Sequence, residues 1–136
     1  MPRLQPLAAS IRNDRNHDIL NFLQGKSAHS DVAGALVEAA VSPGDVQFYS
    51  SEPENFGYVA LTTQDVVFAV AYGMSQIGFR LDETFKERAL ESGGFDVVEV
   101  GPAWVTFELF RSNYPAVDLP FWVRKAYLIA RGADPY

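Results

Sequence analysis

The segment that most limits how this chain can fold is residues 66–72, in which every side chain is apolar. Successive side chains of a β-strand point to opposite faces of the sheet, so a strand of this composition has to be buried on both faces. A short turn comes before it, and a turn that contains Gly73 comes after it. The sequence therefore predicts a central strand with packing in front of it and behind it.

Other strands are predicted around it from β-rich segments bounded by turn residues. Residues 57–62 and 65–72 form a hairpin, and residues 76–81 alternate so that Ile77, Phe79 and Leu81 share one face while the other face meets water or a partner. The full set of predicted strands is residues 45–50, 57–62, 65–72, 76–81, 95–100 and 104–110.

Four helices are predicted from apolar periodicity and from capping residues. Asn13 or Asp14 caps the first, Ser30 or Asp31 caps the second, and Asp82 caps the third. The last helix has a regular apolar stripe that marks a docking face, formed by Leu119, Trp122, Val123, Ala126, Tyr127 and Ala130.

Taken together, these segments predict an α+β fold. An antiparallel sheet of about five to six strands carries two N-terminal helices, a short middle helix and a C-terminal helix. Residues 1–12 contain no continuous apolar run and are expected to form a loosely ordered tail, and residues 13–136 are expected to form a single domain.

Composition narrows the classes of function. The 136 residues include no cysteine, which excludes disulfides, thiolate metal sites and thiol nucleophiles and favours a cytoplasmic location. A net charge of −6 disfavours a surface that neutralises phosphates, although a local basic patch is compatible with it. No segment approaches the length of a membrane-spanning helix.

Signatures of catalysis, metal binding and cofactor binding are absent from the sequence. His17 lies near Asp14 and Asp18, but no third ligand at metal spacing accompanies them, and a polar helix start explains the segment. No glycine-rich phosphate loop is present, and Ser75 lacks the glycine that a nucleophile elbow needs. We therefore expect no catalytic residues, no metal and no cofactor.

Four motifs resemble the MmcQ/YjbR family and the related TfoX N-terminal domain. They are Phe68-Ala69, the segment 77–82, the strand beginning Trp104-Val105-Thr106, and the closing helix with Trp122 to Tyr127. The resemblance covers about half of the chain and implies an α+β domain with flanking helices. It also implies nucleic-acid or protein binding, with no established catalytic residues. The chain departs from the family pattern before Phe68, where residues 62–65 stand in place of the expected glycine and lysine.

Three functional hypotheses follow. The first is a non-catalytic interaction module that binds a protein partner or itself through a sheet edge or an aromatic surface, with Trp104, Phe110 and Tyr114 as candidates.

The second hypothesis is a nucleic-acid-binding domain of the TfoX kind, which requires Arg80, Arg124, Lys125 and Arg131 to converge on one face. The third is a small-ligand protein or enzyme with a pocket that engages Trp104, Tyr72 and His17.

Overall fold

The computed structural model describes residues 3–41, 44–110 and 116–136 and shows an α+β fold built on a six-stranded sheet. The strands lie side by side in chain order: β1 (Gln5–Pro6), β2 (Gln47–Ser50), β3 (Val59–Thr63), β4 (Val66–Tyr72), β5 (Gln76–Arg80) and β6 (Trp104–Glu108). All pairs from β2 to β6 are antiparallel, whereas β1 is parallel to β2. The predicted fold class is confirmed, and β1 makes the sheet mixed.

The predicted helices are present as α1 (His17–Leu23), α2 (Ser30–Ala39), α3 (Glu83–Glu91) and α4 (Leu119–Ala130). Asp82 caps α3 as expected, because its Oδ1 accepts the backbone N–H of Phe85 at 2.8 Å. The expected cap of α2 was wrong. Its N-cap is His29, whose Nδ1 accepts the backbone N–H of Asp31 at 3.1 Å.

Two segments differ from the sequence-based expectation. Residues 95–100 were expected to form a strand, but only Phe95 pairs with the sheet, opposite Thr106, and Val98–Val100 form a 3-10 helix. Residues 1–12 were expected to form a loose tail, but Gln5–Pro6 add β1 to the sheet and Ile11 is fully buried. The pairing of β1 with β2 joins residues far apart in the sequence, which local composition does not encode, and the 3-10 helix ends the pairing that Phe95 begins.

The core has one apolar cluster on each face of the sheet. On the first face, α2, α3 and α4 cover Phe68, Phe79 and Phe107. On the second face, α1 and the N-terminal segment cover Val67, Val70, Tyr72 and Trp104. The prediction that β4 is buried on both faces is confirmed, since each of its residues is buried.

A β-bulge lies in the middle of β4. Leu61 pairs with Ala69 and the next residue of β3, Thr62, pairs with Val67, so Phe68 is the extra residue. Phe68 and Ala69 therefore both belong to the first cluster, although a regular strand would send neighbouring side chains to opposite faces.

Asn16 connects the N-terminal segment to the β3–β4 hairpin through a fully buried side-chain amide. Its Nδ2 donates to the carbonyl oxygens of Ile11 at 2.7 Å and Asp65 at 2.8 Å, and its Oδ1 accepts the N–H of Val67 at 2.9 Å. Arg80 supports the same junction by donating to the carbonyl oxygens of Val67 and Arg15. These bonds fix the layer that covers the second face.

Replacing Asn16 with alanine should lower the free energy of unfolding by about 2–4 kcal/mol. The substitution removes three hydrogen bonds and leaves buried backbone groups without their partner. Urea unfolding followed by circular dichroism measures the change. The control is Asn21→Ala, at an exposed position of α1, which should change stability by less than about 0.5 kcal/mol. Equal effects of the two substitutions would contradict the role of Asn16.

The β3–β4 turn contains two non-glycine residues with left-handed backbone, Gln64 at φ 50° and Asp65 at φ 61°. Two-residue hairpin loops of this kind favour Asn-Gly, because side chains such as that of Gln resist positive φ. Changing Gln64-Asp65 to Asn-Gly should raise the free energy of unfolding by about 1 kcal/mol. Thermal denaturation tests this expectation, and an unchanged or lower melting temperature would contradict it.

Candidate binding surface

One end of the sheet gathers loops that are far apart in the sequence. Ser50 pairs with Val59 and Val59 with Ala71, and one residue further along, Tyr72 pairs with Gln76 and Gln76 with Glu108, so these strand ends lie at the same end of the sheet. The loop after β2, the turn between β4 and β5, and the chain that follows β6 consequently leave the sheet at the same end. We call this region the loop end.

The connection between α1 and α2 runs across the loop end and holds two of these loops in place. The N–H of Ala28 donates to the carbonyl oxygen of Phe56 at 2.9 Å, and the N–H of His29 donates to that of Gly73 at 2.8 Å. The N–H of Gly73 in turn donates to the carbonyl oxygen of Ser27 at 2.7 Å. The backbone of each loop is thereby fixed while the neighbouring side chains stay at the surface.

Three large apolar side chains are exposed at the loop end. Phe56 is 66% exposed, Met74 is 70% exposed and Phe110 is 67% exposed. The two phenylalanines also have left-handed backbone, with φ of 57° at Phe56 and 61° at Phe110. Such conformations are costly for bulky residues and concentrate at functional sites, so this arrangement is unusual for a surface without a role.

The loop beside Phe56 depends on a glycine. A Cβ at Gly57 would lie 2.2 Å from the backbone nitrogen of Glu52, which is far too close for any side chain. The carbonyl oxygen of Glu52 accepts the N–H groups of both Asn55 and Gly57. This tight closure brings Glu52 and Glu54 beside Phe56.

Three adjoining grooves occupy the loop end. The first, of about 230 Å³, lies between α2 and the loop after β2 and is lined by Ala33, Gly34, Val37 and Phe56, among others. The second shares Ala28, Ser30 and Phe56 with it, and the third shares His29 and Met74 with the second. Shared lining residues make the three grooves one continuous surface.

The charged side chains that line this surface are carboxylates. Glu52, Glu54 and Asp31 line the grooves. Among residues 3–41, 44–110 and 116–136, no lysine or arginine lines any of the three. The loop end therefore combines exposed apolar side chains with an acidic border.

Trp104 and Tyr72, two of the candidates from the sequence, lie in the core. Trp104 is 4% exposed and packs in the cluster beneath α1, where the guanidinium of Arg80 lies 5.2 Å from its ring centroid. The hydroxyls of Tyr72 and Thr106 are hydrogen bonded at 3.2 Å, and Phe22 packs edge-on against the Tyr72 ring. Neither side chain lines any of the grooves named above.

His17 is exposed at the start of α1, with its Nδ1 3.4 Å from Oδ1 of Asp18. It lines a separate cleft that also contains Arg12, Asp14 and the buried ring of Tyr58. The structure therefore does not bring His17, Tyr72 and Trp104 together in one pocket, as the small-ligand hypothesis required. Among the described residues, no cluster of three histidine or acidic side chains is arranged to hold a metal ion.

The four basic candidates for nucleic-acid contacts do not form a single patch. The Arg80 guanidinium lies on the second face, against Trp104, and burial lowers its pKa from the usual value. On the first face, Lys125 donates to the carbonyl oxygen of Pro135 and Arg131 pairs with Asp45 at 2.8 Å. Of the four, Arg124 is the exposed one. The convergence that the nucleic-acid hypothesis required is not met.

Phe110 is the sequence-derived candidate that lies at the loop end, whereas Tyr114 falls outside the described residues. Sequence reasoning missed Phe56 and Met74. A signal was present, because each is a large apolar residue inside a turn whose other residues are small or polar. Their proximity to Phe110 depends on strand order, which the sequence alone does not reveal.

Comparison with known proteins finds no matching family model, no matching curated protein and no matching solved structure. The resemblance to the MmcQ/YjbR and TfoX families stays a prediction. None of the helices in the described part of the chain is long and apolar enough to cross a membrane.

The structural role of Tyr72 predicts a specific pH dependence. Burial raises the pKa of Tyr72 above its usual value of 10.0. The hydrogen bond with Thr106 opposes this rise only in part, and the negative charges of Glu108 and Glu99 add to it. Because the folded pKa is raised, the stabilising contribution is complete below pH 10.0 and is lost as the pH rises through the folded pKa. Above pH 10.0, the free energy of unfolding should fall more steeply with pH in the wild-type protein than in Tyr72→Phe, by up to about 1.4 kcal/mol per pH unit.

Urea unfolding at pH about 8 and about 11 compares the two slopes. The difference between slopes is the informative quantity, since loss of the Thr106 hydrogen bond lowers the stability of Tyr72→Phe at both pH values. Parallel losses in the two proteins would contradict the assignment of Tyr72 to the core.

Proposed function

We propose that this protein is a non-catalytic interaction module that binds a protein partner through the loop end. The observation that carries the proposal is the continuous exposed apolar surface formed by Phe56, Met74 and Phe110. Exposed aromatic and methionine side chains are enriched in protein interfaces, and aromatic residues often provide most of the binding energy.

The rigidity of the loop end supports the proposal. Backbone hydrogen bonds to Ala28 and His29 hold the loops of Phe56 and Gly73 before any partner arrives. A preformed surface loses less conformational freedom on binding, so more of the contact energy appears as affinity. The left-handed backbone at Phe56 fits the same interpretation, because strain is retained where it positions a functional side chain.

Binding through a sheet edge, the other mode suggested by the sequence, is less well supported. At the β6 edge, Phe95 and Thr106 exchange both backbone hydrogen bonds, at 2.9 Å each. At the opposite edge, β1 has only two residues and includes Pro6, which has no N–H to donate. Both edges are therefore poor templates for an added strand.

Photo-crosslinking tests the proposed function. A benzophenone amino acid replaces Phe56 at the loop end, and in the control protein it replaces Val98, which is 89% exposed in the 3-10 helix before β6. We expect irradiation of producing cells to give a discrete covalent protein adduct from position 56 and none from position 98. The mass of the adduct distinguishes a second copy of this chain from another protein.

No adduct from position 56, or the same adducts from both positions, would overturn the proposal. A double variant, Phe56→Ser with Met74→Ser, provides the complementary measurement when the probe replaces Phe110, which is exposed and lines the third groove with Met74. Both side chains are exposed, so the variant should unfold at a temperature within a few degrees of wild type while losing the adduct.

A further inference from the structure

The charge pattern around the loop end points to one class of partner. This inference rests on the proposed function and adds the chemistry of the partner. We propose that the loop end binds a basic amphipathic segment of another protein, one that places apolar side chains in the grooves and lysine or arginine beside the acidic border.

The apolar half of this partner is defined by the groove between α2 and the loop after β2. Its wall on α2 includes the small residues Ala33 and Gly34 as well as Val37, and the opposite wall contains Pro53 and Phe56. A Cβ added at Gly34 would meet no atom within 4 Å, so the space above this glycine is open. An apolar side chain of a partner can enter there and contact Phe56 without displacing any part of the fold.

The basic half follows from the carboxylates. Glu52 and Glu54 flank Pro53 on the rim of that groove, and both are exposed. Asp31 lies on the rim of the third groove, beside Met74 and Phe110. Asp31 lies 3.7 Å from Nδ1 of His29, and among the described residues none of the three carboxylates pairs with a lysine or arginine. A partner's cations would therefore meet carboxylates at several points along one surface.

Charge also separates this partner from the other occupants. A second copy of the chain carries the same net charge of −6, and pairing two acidic loop ends would place like charges together. A nucleic acid is repelled by the same carboxylates. Complementary charge favours a basic protein segment and speeds its association at low salt.

A randomised peptide library displayed on phage provides the test, with wild-type protein as the target of selection and Gly34→Leu as the comparison protein for each enriched peptide. Leucine at position 34 fills the open groove, and it favours a helix more than glycine does, so this variant should remain folded. We expect the enriched peptides to carry an excess of lysine and arginine together with apolar residues. Their affinities are then measured by fluorescence anisotropy with synthetic peptides.

Two charge variants give a matched comparison. Glu52→Gln with Glu54→Gln removes two carboxylates from the loop end, and Glu87→Gln with Glu91→Gln removes two exposed carboxylates from α3. The first pair should weaken peptide binding about fivefold, and the second pair less than about twofold. Binding should also weaken as salt is raised from low to near-physiological concentration.

The outcomes separate the two proposals. Enriched peptides without an excess of basic residues, or equal effects of the two charge variants, would overturn the partner class while leaving the loop end as the interaction surface. Peptides that bind Gly34→Leu as tightly as wild type would place binding elsewhere and overturn the surface itself. If no peptide is enriched, the basic-segment proposal falls, and the cross-link at position 56 decides the proposed function independently.

Discussion

The rest of the structure depends on β4, a strand that is apolar on both faces and therefore needs a packed layer on each side. Helices α2, α3 and α4 supply one layer. The other layer is thin, because α1 is short and is supported by the N-terminal segment. This shortage explains why residues before α1 are incorporated into the fold, with Ile11 buried and Asn16 bonded to the β3–β4 hairpin.

Covering both faces also limits where the proposed partner would bind. The large aromatic side chains of β4 to β6, including Trp104 and Tyr72, are buried in the two core clusters. The surface left for recognition is at the ends of the strands, where loops leave the core. At the loop end, hydrogen bonds from the α1–α2 connection make those loops rigid enough to present Phe56 and Met74 to solvent.

The structure shows where some of the acidic residues of the chain lie relative to the apolar groove. From the sequence, a net charge of −6 argued only against phosphate binding. In the structure, Glu52 and Glu54 border an open apolar groove, while Arg80 and Arg131 are engaged in bonds within the protein. In the proposed function, the same charge that disfavours nucleic acids is an element of selectivity for a protein partner.

Local patterns in the sequence determined the fold class, the identity of four helices and most strands, and the burial of β4 on both faces, because periodicity and capping act between residues close in the chain. They did not determine the burial of Trp104, the bulge at Phe68, or the role of Asn16, each of which depends on partners far along the chain. The loop end is the clearest case. Phe56, Met74 and Phe110 come together only through the register of β2 to β6, and that register is set by long-range backbone hydrogen bonds formed when the tertiary structure assembles.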